Sequence, residues 1–236
     1  MWAIGSLIVV LVGPVVTALW MAPVAAAAAA QAARSWRRTS GNHRPASQPA
    51  FAAAAVVVLG AAFGVAALIG AALVAAVGAA AWATVIATRE EGDSASGSDV
   101  VLTLVCAFLP AVAAVGPVIL RSNGLVAALV VMTYALVYDA GSWVIGSGSR
   151  HRWIGPLAGM ACIGSITLGV GSVFPQFKGD SAWQLGVLAA VLAPLGPVAA
   201  SLLVGDRRAP MPGIRRLDSL VLLGPIWAIA ATRLGV

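Results

Sequence analysis

From residue 51 to residue 88 the chain carries no charged side chain. A helix that crosses a hydrocarbon core of about 30 Å needs about 20 apolar residues. This run of 38 residues is therefore nearly two spans long. It predicts two helices joined by a tight turn, placed near Gly70. Gly60 and Gly64 form a small-xxx-small pair, which lets neighbouring backbones approach closely. No stretch here or elsewhere alternates apolar and polar residues as a half-buried strand would. The expected class is all-α.

The rest of the 236-residue chain repeats the pattern. It is 61% hydrophobic and only 9% charged, with a mean hydropathy of +0.98, whereas soluble domains carry about 25% charged residues. The reading is a polytopic integral membrane helical bundle of about eight transmembrane helices. The first span lies within residues 1–33, with Trp2 and Trp20 at its two interfaces. Residues 51–88 give the second and third. The others follow at about 100–120, 125–145, 153–174, 182–204 and 217–232, with Pro110 and Pro117 as kinks in the fourth. Spans 1–4 form an N-terminal region, 1–124, and spans 5–8 a C-terminal region, 125–236. A signal peptide would place positive charge ahead of its apolar core. Here the arginines come after it, so the first helix is expected to be retained with its N-terminus outside.

The net charge of +6 and pI near 10.7 could point to nucleic acid. The basic residues, however, sit in short loops between apolar spans. Membrane orientation and attraction to anionic lipid explain that placement, and a nucleic-acid partner is not expected. Loops 34–50, 89–99, 147–152 and 205–216 fall on one side and hold eleven of the fourteen basic residues. That side is read as cytoplasmic. An arginine- and alanine-rich composition suggests the cytoplasmic membrane of a bacterium. Arg34, Arg37, Arg38 and Arg44 lack a glycine-rich cradle and are read as topological. Glu90, Glu91 and Asp93 read as a solvated loop. Cys106 and Cys162 lie in apolar spans and read as packing residues. His43 and His151 lie in arginine-rich loops, and neither is near a serine or carboxylate pattern that would make it a catalytic base.

Two features stand apart from this background. Asp139 is the one carboxylate well inside an apolar run. Such a residue costs about 2.5–3.5 kcal/mol on insertion scales, which makes it a functional candidate. The second feature is the polar stretch 201–219, SLLVGDRRAPMPGIRRLDS. It holds Arg207, Arg208, Arg215 and Arg216, the carboxylates Asp206 and Asp218, and a Pro212-Gly213 turn. A charged hairpin between two spans can hold a lipid headgroup or a nucleotide phosphate.

Three segments of the C-terminal half carry a resemblance. Asp139-Ala140-Gly141-Ser142-Trp143-Val144-Ile145-Gly146 is similar to a D-x-G-A-Y-x-x-G motif. Gly155 to Cys162 stands where an S-P-K-K-T-W-E-G segment would stand. Ser201, Pro212-Gly213 and Arg216-Leu217-Asp218-Ser219 match parts of a signature running S-x-x-K-R, then P-G-H-G-G-x-x-D-R-x-D-S. On these segments the region 125–236 resembles the phosphatidate cytidylyltransferases, or CDP-diacylglycerol synthases.

The resemblance implies a membrane phospholipid-biosynthesis enzyme, a nucleotidyltransferase joining CTP to phosphatidic acid with release of pyrophosphate. It implies catalytic roles for Asp139, Ser201 and Asp218, with Mg2+ at Asp218 and Asp139. Arg207, Arg208, Arg215 and Arg216 would bind phosphate. Gly141, Gly146, Pro212 and Gly213 would be motif turns. Phosphatidic acid or another anionic phospholipid would be the lipid partner, and a second copy or another membrane enzyme the protein partner.

The departures are specific. The H-G-G portion is missing, and Arg215 stands where the first aspartate of D-R-x-D would be. Val204 and Gly205 replace K-R, and the lysines and glutamate of the middle segment have become Leu157, Ala158 and Ala161. A cation at position 215 repels a metal, and the lost lysines remove neutralisers of a triphosphate. A non-catalytic paralogue that binds anionic lipid or a partner enzyme is therefore the alternative. A small transporter coupled through Asp139 is another, although no inverted repeat supports it. The multi-aspartate motif of CDP-alcohol phosphotransferases is absent.

Overall fold

The structure is a computed structural model that describes residues 2–40, 43–91, 97–151, 153–177, 180–204 and 211–236. Among these residues there is no strand, and the fold is all-helical, with 87% helix. In chain order the helices are α1 (Trp2–Val12), α2 (Pro14–Thr39), α3 (Ser47–Ala61), α4 (Val65–Glu91), α5 (Gly97–Asn123), α6 (Leu125–Gly146), α7 (Ile154–Val173), α8 (Asp180–Leu202), the single turn α9 (Pro212–Arg215) and α10 (Leu220–Arg233). A 3-10 turn at Pro175–Phe177 joins α7 to α8.

Six helices, α2 and α4 to α8, are long and apolar enough to cross a membrane. The protein has the architecture of a multi-pass membrane bundle. Helices stand at all eight expected places, but α3 has 15 residues and α10 has 14. At 1.5 Å per residue each is only about 21–22 Å long, short of a full core. Both pack against α5.

The first span is not one helix. The chain breaks at Gly13–Pro14, because proline has no N–H and its ring clashes with the preceding turn. Helix α1 turns back against α2, so Trp20 donates its indole N–H to Ser6 Oγ at 3.1 Å and does not mark the far end of a continuous span. Side chains brace the break. Thr17 donates its hydroxyl to Val9 O at 3.2 Å and Gly13 O at 2.8 Å. The Val10 carbonyl, which residue 14 would normally satisfy, accepts Arg121 Nε–H at 2.6 Å.

The turn within 51–88 is at residues 62–64, not at Gly70. Gly64 has φ +97, a backbone state that L side chains rarely adopt, and this reverses the chain. Gly70 lies inside α4 with open space around it. Of the small-residue pair, Gly60 makes the close approach, against Ala67 and Ala71 of α4, while Gly64 is the corner. Pro110 and Pro117 lie inside the uninterrupted α5. The polar loop expected from residue 34 starts later, since Arg34, Arg37 and Arg38 belong to the last turns of α2.

Several contacts gather the arginine-rich helix ends on one face. The Trp36 indole N–H, near the end of α2, donates to Leu203 O at the end of α8 (2.8 Å). Arg44 N–H donates to Asp99 Oδ1 at 3.0 Å, and Ala46 N–H to Thr103 Oγ1 at 2.9 Å, which fixes the α2–α3 connection on the start of α5. Gly146 at the end of α6 abuts Gly155 at the start of α7. One hydrophobic core runs through the bundle, from alanines 25, 28, 29 and 32 of α2 to Leu223 and Trp227 of α10. Where α5 crosses α10, Gly116 meets the backbone of Gly224. Deep in the core Trp227 packs edge-on to Tyr134 and donates its N–H to Leu185 O at 3.1 Å.

Candidate functional site

Helix α6 carries Asp139 about two turns before its end. The chain after α9 turns through residues 216–219 before entering α10. This turn packs so tightly on α8 that a side chain at Gly196 would collide with the Asp218 carbonyl. The absence of a Cβ at position 196 therefore admits the turn into the bundle. The result is a meeting of two remote acids at one residue. Ser219 donates its hydroxyl to Asp139 Oδ2 at 3.3 Å and its backbone N–H to Asp218 Oδ1 at 2.8 Å. Ser219 itself is buried.

Asp139 and Asp218 line a cleft of about 1190 Å³ between α6, α7 and α8. Arg215 from α9 lies on the same wall, as does Ser142. The remaining wall is apolar and includes Leu157, Met160, Leu195 and Val198. Trp143 and Trp153 stand at its edge, 73% and 77% exposed. Large aromatic rings with one polar atom suit the boundary between acyl chains and headgroups. Arg215 and Asp218 also line a second, smaller pocket of about 200 Å³, together with Ser201, Val204 and Met211. The two pockets therefore share a polar wall.

Asp218 lies in the turn ahead of α10, outside the six long helices. Burial there pushes its carboxyl up to about 6, opposed by the Ser219 N–H and the Arg215 guanidinium. The arginine thus offsets part of the local negative charge. The donor set has two carboxylates and one hydroxyl. Among the described residues no group of three or more His, Cys, Asp or Glu comes together. Two carboxylates suit a Mg2+ ion that takes its other ligands from substrate phosphates and water, and do not form a closed protein cage.

The expected residues divide as follows. Asp139, Asp218 and Arg215 come together. Ser201 lines the smaller pocket, with its hydroxyl donated to Val198 O at 2.7 Å. Arg216 is exposed and is not among the residues lining either pocket. Arg207 and Arg208 lie outside the described residues. Gly141 and Gly146 are not turn residues: both belong to α6. They let α7 approach, Gly141 against Gly159 and Cys162, and Gly146 against Gly155. Pro212 and Gly213 form the first turn of α9, with the Gly213 N–H donated to Gln31 Oε1 of α2 at 3.1 Å. Tyr138, Trp153, Gly196 and Gln31 are not singled out as site residues by the sequence, whereas Trp143 stands at the aromatic position of the motif-like segment 139–146. Only Gln31 could have drawn notice, as the one polar side chain between Trp20 and Arg34.

No protein-family model, curated protein or solved structure matches the chain.

Proposed function

We propose that this is a membrane phospholipid-biosynthesis protein of the phosphatidate cytidylyltransferase type, and that its cleft holds phosphatidic acid. One observation carries the reading: Asp139 and Asp218, taken from two separate motif-like segments, meet at Ser219 in a cleft lined by both acids, by Arg215 and by a largely apolar set of side chains. An amphipathic lipid needs both parts. Its phosphate would sit by Arg215, where a planar guanidinium can donate two parallel hydrogen bonds. Its acyl chains would lie along Leu157, Met160, Leu195 and Val198, behind Trp143 and Trp153.

The smaller pocket, across the Arg215–Asp218 wall, would take the nucleotide phosphates. In the implied reaction a phosphate oxygen of the lipid attacks the α-phosphorus of CTP. A new P–O–P bond forms as the α–β phosphoanhydride bond breaks, and pyrophosphate leaves. Asp139 and Asp218 would hold Mg2+, which supplies neutralisation of charge on the transferring phosphate. Ser219 keeps the two acids in place. Arg215 orients the lipid phosphate.

A second reading, a lipid-binding protein without transfer activity, is favoured by Arg215 itself. A cation stands on the wall where the related motif has a metal-binding acid. Both readings require phosphatidic acid in the cleft. The experiment that separates them incubates the purified chain with phosphatidic acid, Mg2+ and radiolabelled CTP. CDP-diacylglycerol that disappears in Asp218→Asn supports transfer. Saturable lipid binding without product supports the second reading. Neither binding nor product from folded protein would remove both.

A further inference from the structure

Helix α2 is alanine-rich where the arm comes in: Ala28, which Gly213 approaches, and its neighbours Ala25, Ala29 and Ala32 are all fully buried. An alanine surface permits close approach but offers little to fix register, because one position looks like the next. The arm does approach closely. A Cβ on Gly213 would lie 2.9 Å from the Ala28 nitrogen. Gln31, close to one turn on from Ala28, meets the arm directly: its Oε1 accepts the Gly213 N–H at 3.1 Å. That N–H belongs to the first turn of α9 and has no partner within the helix. On the same helix Trp36 donates to Leu203 O, so α2 grips the chain on both sides of the α8–α9 connection.

The contact is coupled to the cleft through a short, hydrogen-bonded path. Arg216 N–H donates to Gly213 O, Leu217 N–H to Ile214 O, and Val221 N–H to Asp218 O, at 3.3, 3.0 and 3.3 Å. Ile214 and Leu217 are buried beside this path. Moving Gly213 along α2 therefore moves Arg215 and Asp218 with it.

We infer that Gln31 is a positioning residue: its amide sets the register of the 211–219 arm on α2 and so places Arg215 and Asp218 in the cleft. In its effect on ligand this rests on the proposed phosphatidate site. The part played is analogous to a single polar residue that fixes register in an otherwise apolar helix interface.

The test compares full-length wild type, Gln31→Met and Gln31→Glu in detergent. Methionine keeps the length and the helix propensity but loses the strong acceptor; glutamate keeps an acceptor. Hydrogen exchange over residues 211–219 reads the arm, and titration with phosphatidic acid in phosphatidylcholine mixed micelles reads the site. Gln31→Met is expected to speed exchange of the arm at least tenfold, with α6 and α7 unchanged, and to weaken phosphatidic acid binding about tenfold. Gln31→Glu is expected to stay within threefold of wild type in both. Gly213→Ala attacks the same docking from the other partner and should reproduce the Gln31→Met pattern.

Unchanged exchange in Gln31→Met overturns the inference. So does faster exchange with unchanged affinity, which would leave Gln31 an anchor with no bearing on the site. If wild type shows no preference for phosphatidic acid, the proposed function falls, and exchange alone decides whether Gln31 sets the arm.

Discussion

The Ser219 hydroxyl lies 3.3 Å from Asp139 Oδ2, joining residues that are 80 positions apart in the chain. Because the Ser219 N–H also holds Asp218, one serine sets the spacing of both acids. Ser219→Ala removes only the hydroxyl link. If transfer occurs, CDP-diacylglycerol formation should fall about tenfold in Ser219→Ala and at least a hundredfold in Asp139→Asn and Asp218→Asn. Rates from radiolabelled CTP check this. An Asp139→Asn variant with wild-type turnover would contradict a shared role for the two acids.

Close backbone contact between α5 and α10 makes a sharp prediction about stability. Gly116→Ala drives a methyl into the Gly224 backbone, and overpacking of this kind costs about 1–3 kcal/mol. Gly70→Ala adds the same methyl where nothing lies within 4 Å. Thermal unfolding in detergent should show a drop of several degrees for Gly116→Ala. Gly70→Ala should match wild type or exceed it slightly, because alanine favours the helix. Equal midpoints for the two variants would count against this helix crossing.

Arg121 satisfies the Val10 carbonyl that Pro14 leaves open. Replacing it with alanine leaves a buried acceptor without its partner, a cost of about 1–3 kcal/mol. Arg121→Ala should loosen α1 and raise hydrogen exchange over residues 2–12. Phosphatidic acid binding should stay within twofold, since α1 does not line the cleft. An arm or cleft that changes while α1 does not would be the opposite of this account.

The ends of α6 and α5 test orientation. Ser149 follows the end of α6, on the arginine-rich face, and Ser122 lies at the other end of the bundle, in the last turn of α5. In a variant lacking Cys106 and Cys162, Ser149→Cys should be labelled by an impermeant thiol reagent only from the cytoplasmic side. Ser122→Cys should be labelled only from outside. The reverse pattern would invert the topology.

These relationships were unevenly legible in the sequence. Hydrophobic runs of twenty residues determine their own secondary structure in a membrane, because every backbone group must be satisfied within the segment. The all-helical class was therefore readable, while the break at Gly13–Pro14 and the turn at residues 62–64 were not. Where glycine does the work, less was legible. Gly64, Gly70, Gly141 and Gly196 look alike in the chain, yet one makes a turn, one faces open space and two admit a neighbouring backbone. Only tertiary contact separates these roles.

Asp139 was recognisable because a carboxylate is costly inside an apolar run, and Asp218 because it ends the polar, motif-like stretch 201–219. Their partnership was not, since it depends on how deeply the turn after α9 enters beside Gly196. Gln31 went unread because an isolated glutamine in an alanine run has no motif. Its meaning comes from Gly213, 182 residues away.

The most direct test of the central claim is equilibrium binding of radiolabelled phosphatidic acid to the purified chain in phosphatidylcholine mixed micelles, for wild type and Arg215→Ala. The account predicts saturable binding, at least tenfold stronger for phosphatidic acid than for phosphatidylcholine and weakened about tenfold in Arg215→Ala. Equal affinity for the two lipids, or an Arg215→Ala variant that binds as wild type does, would contradict it.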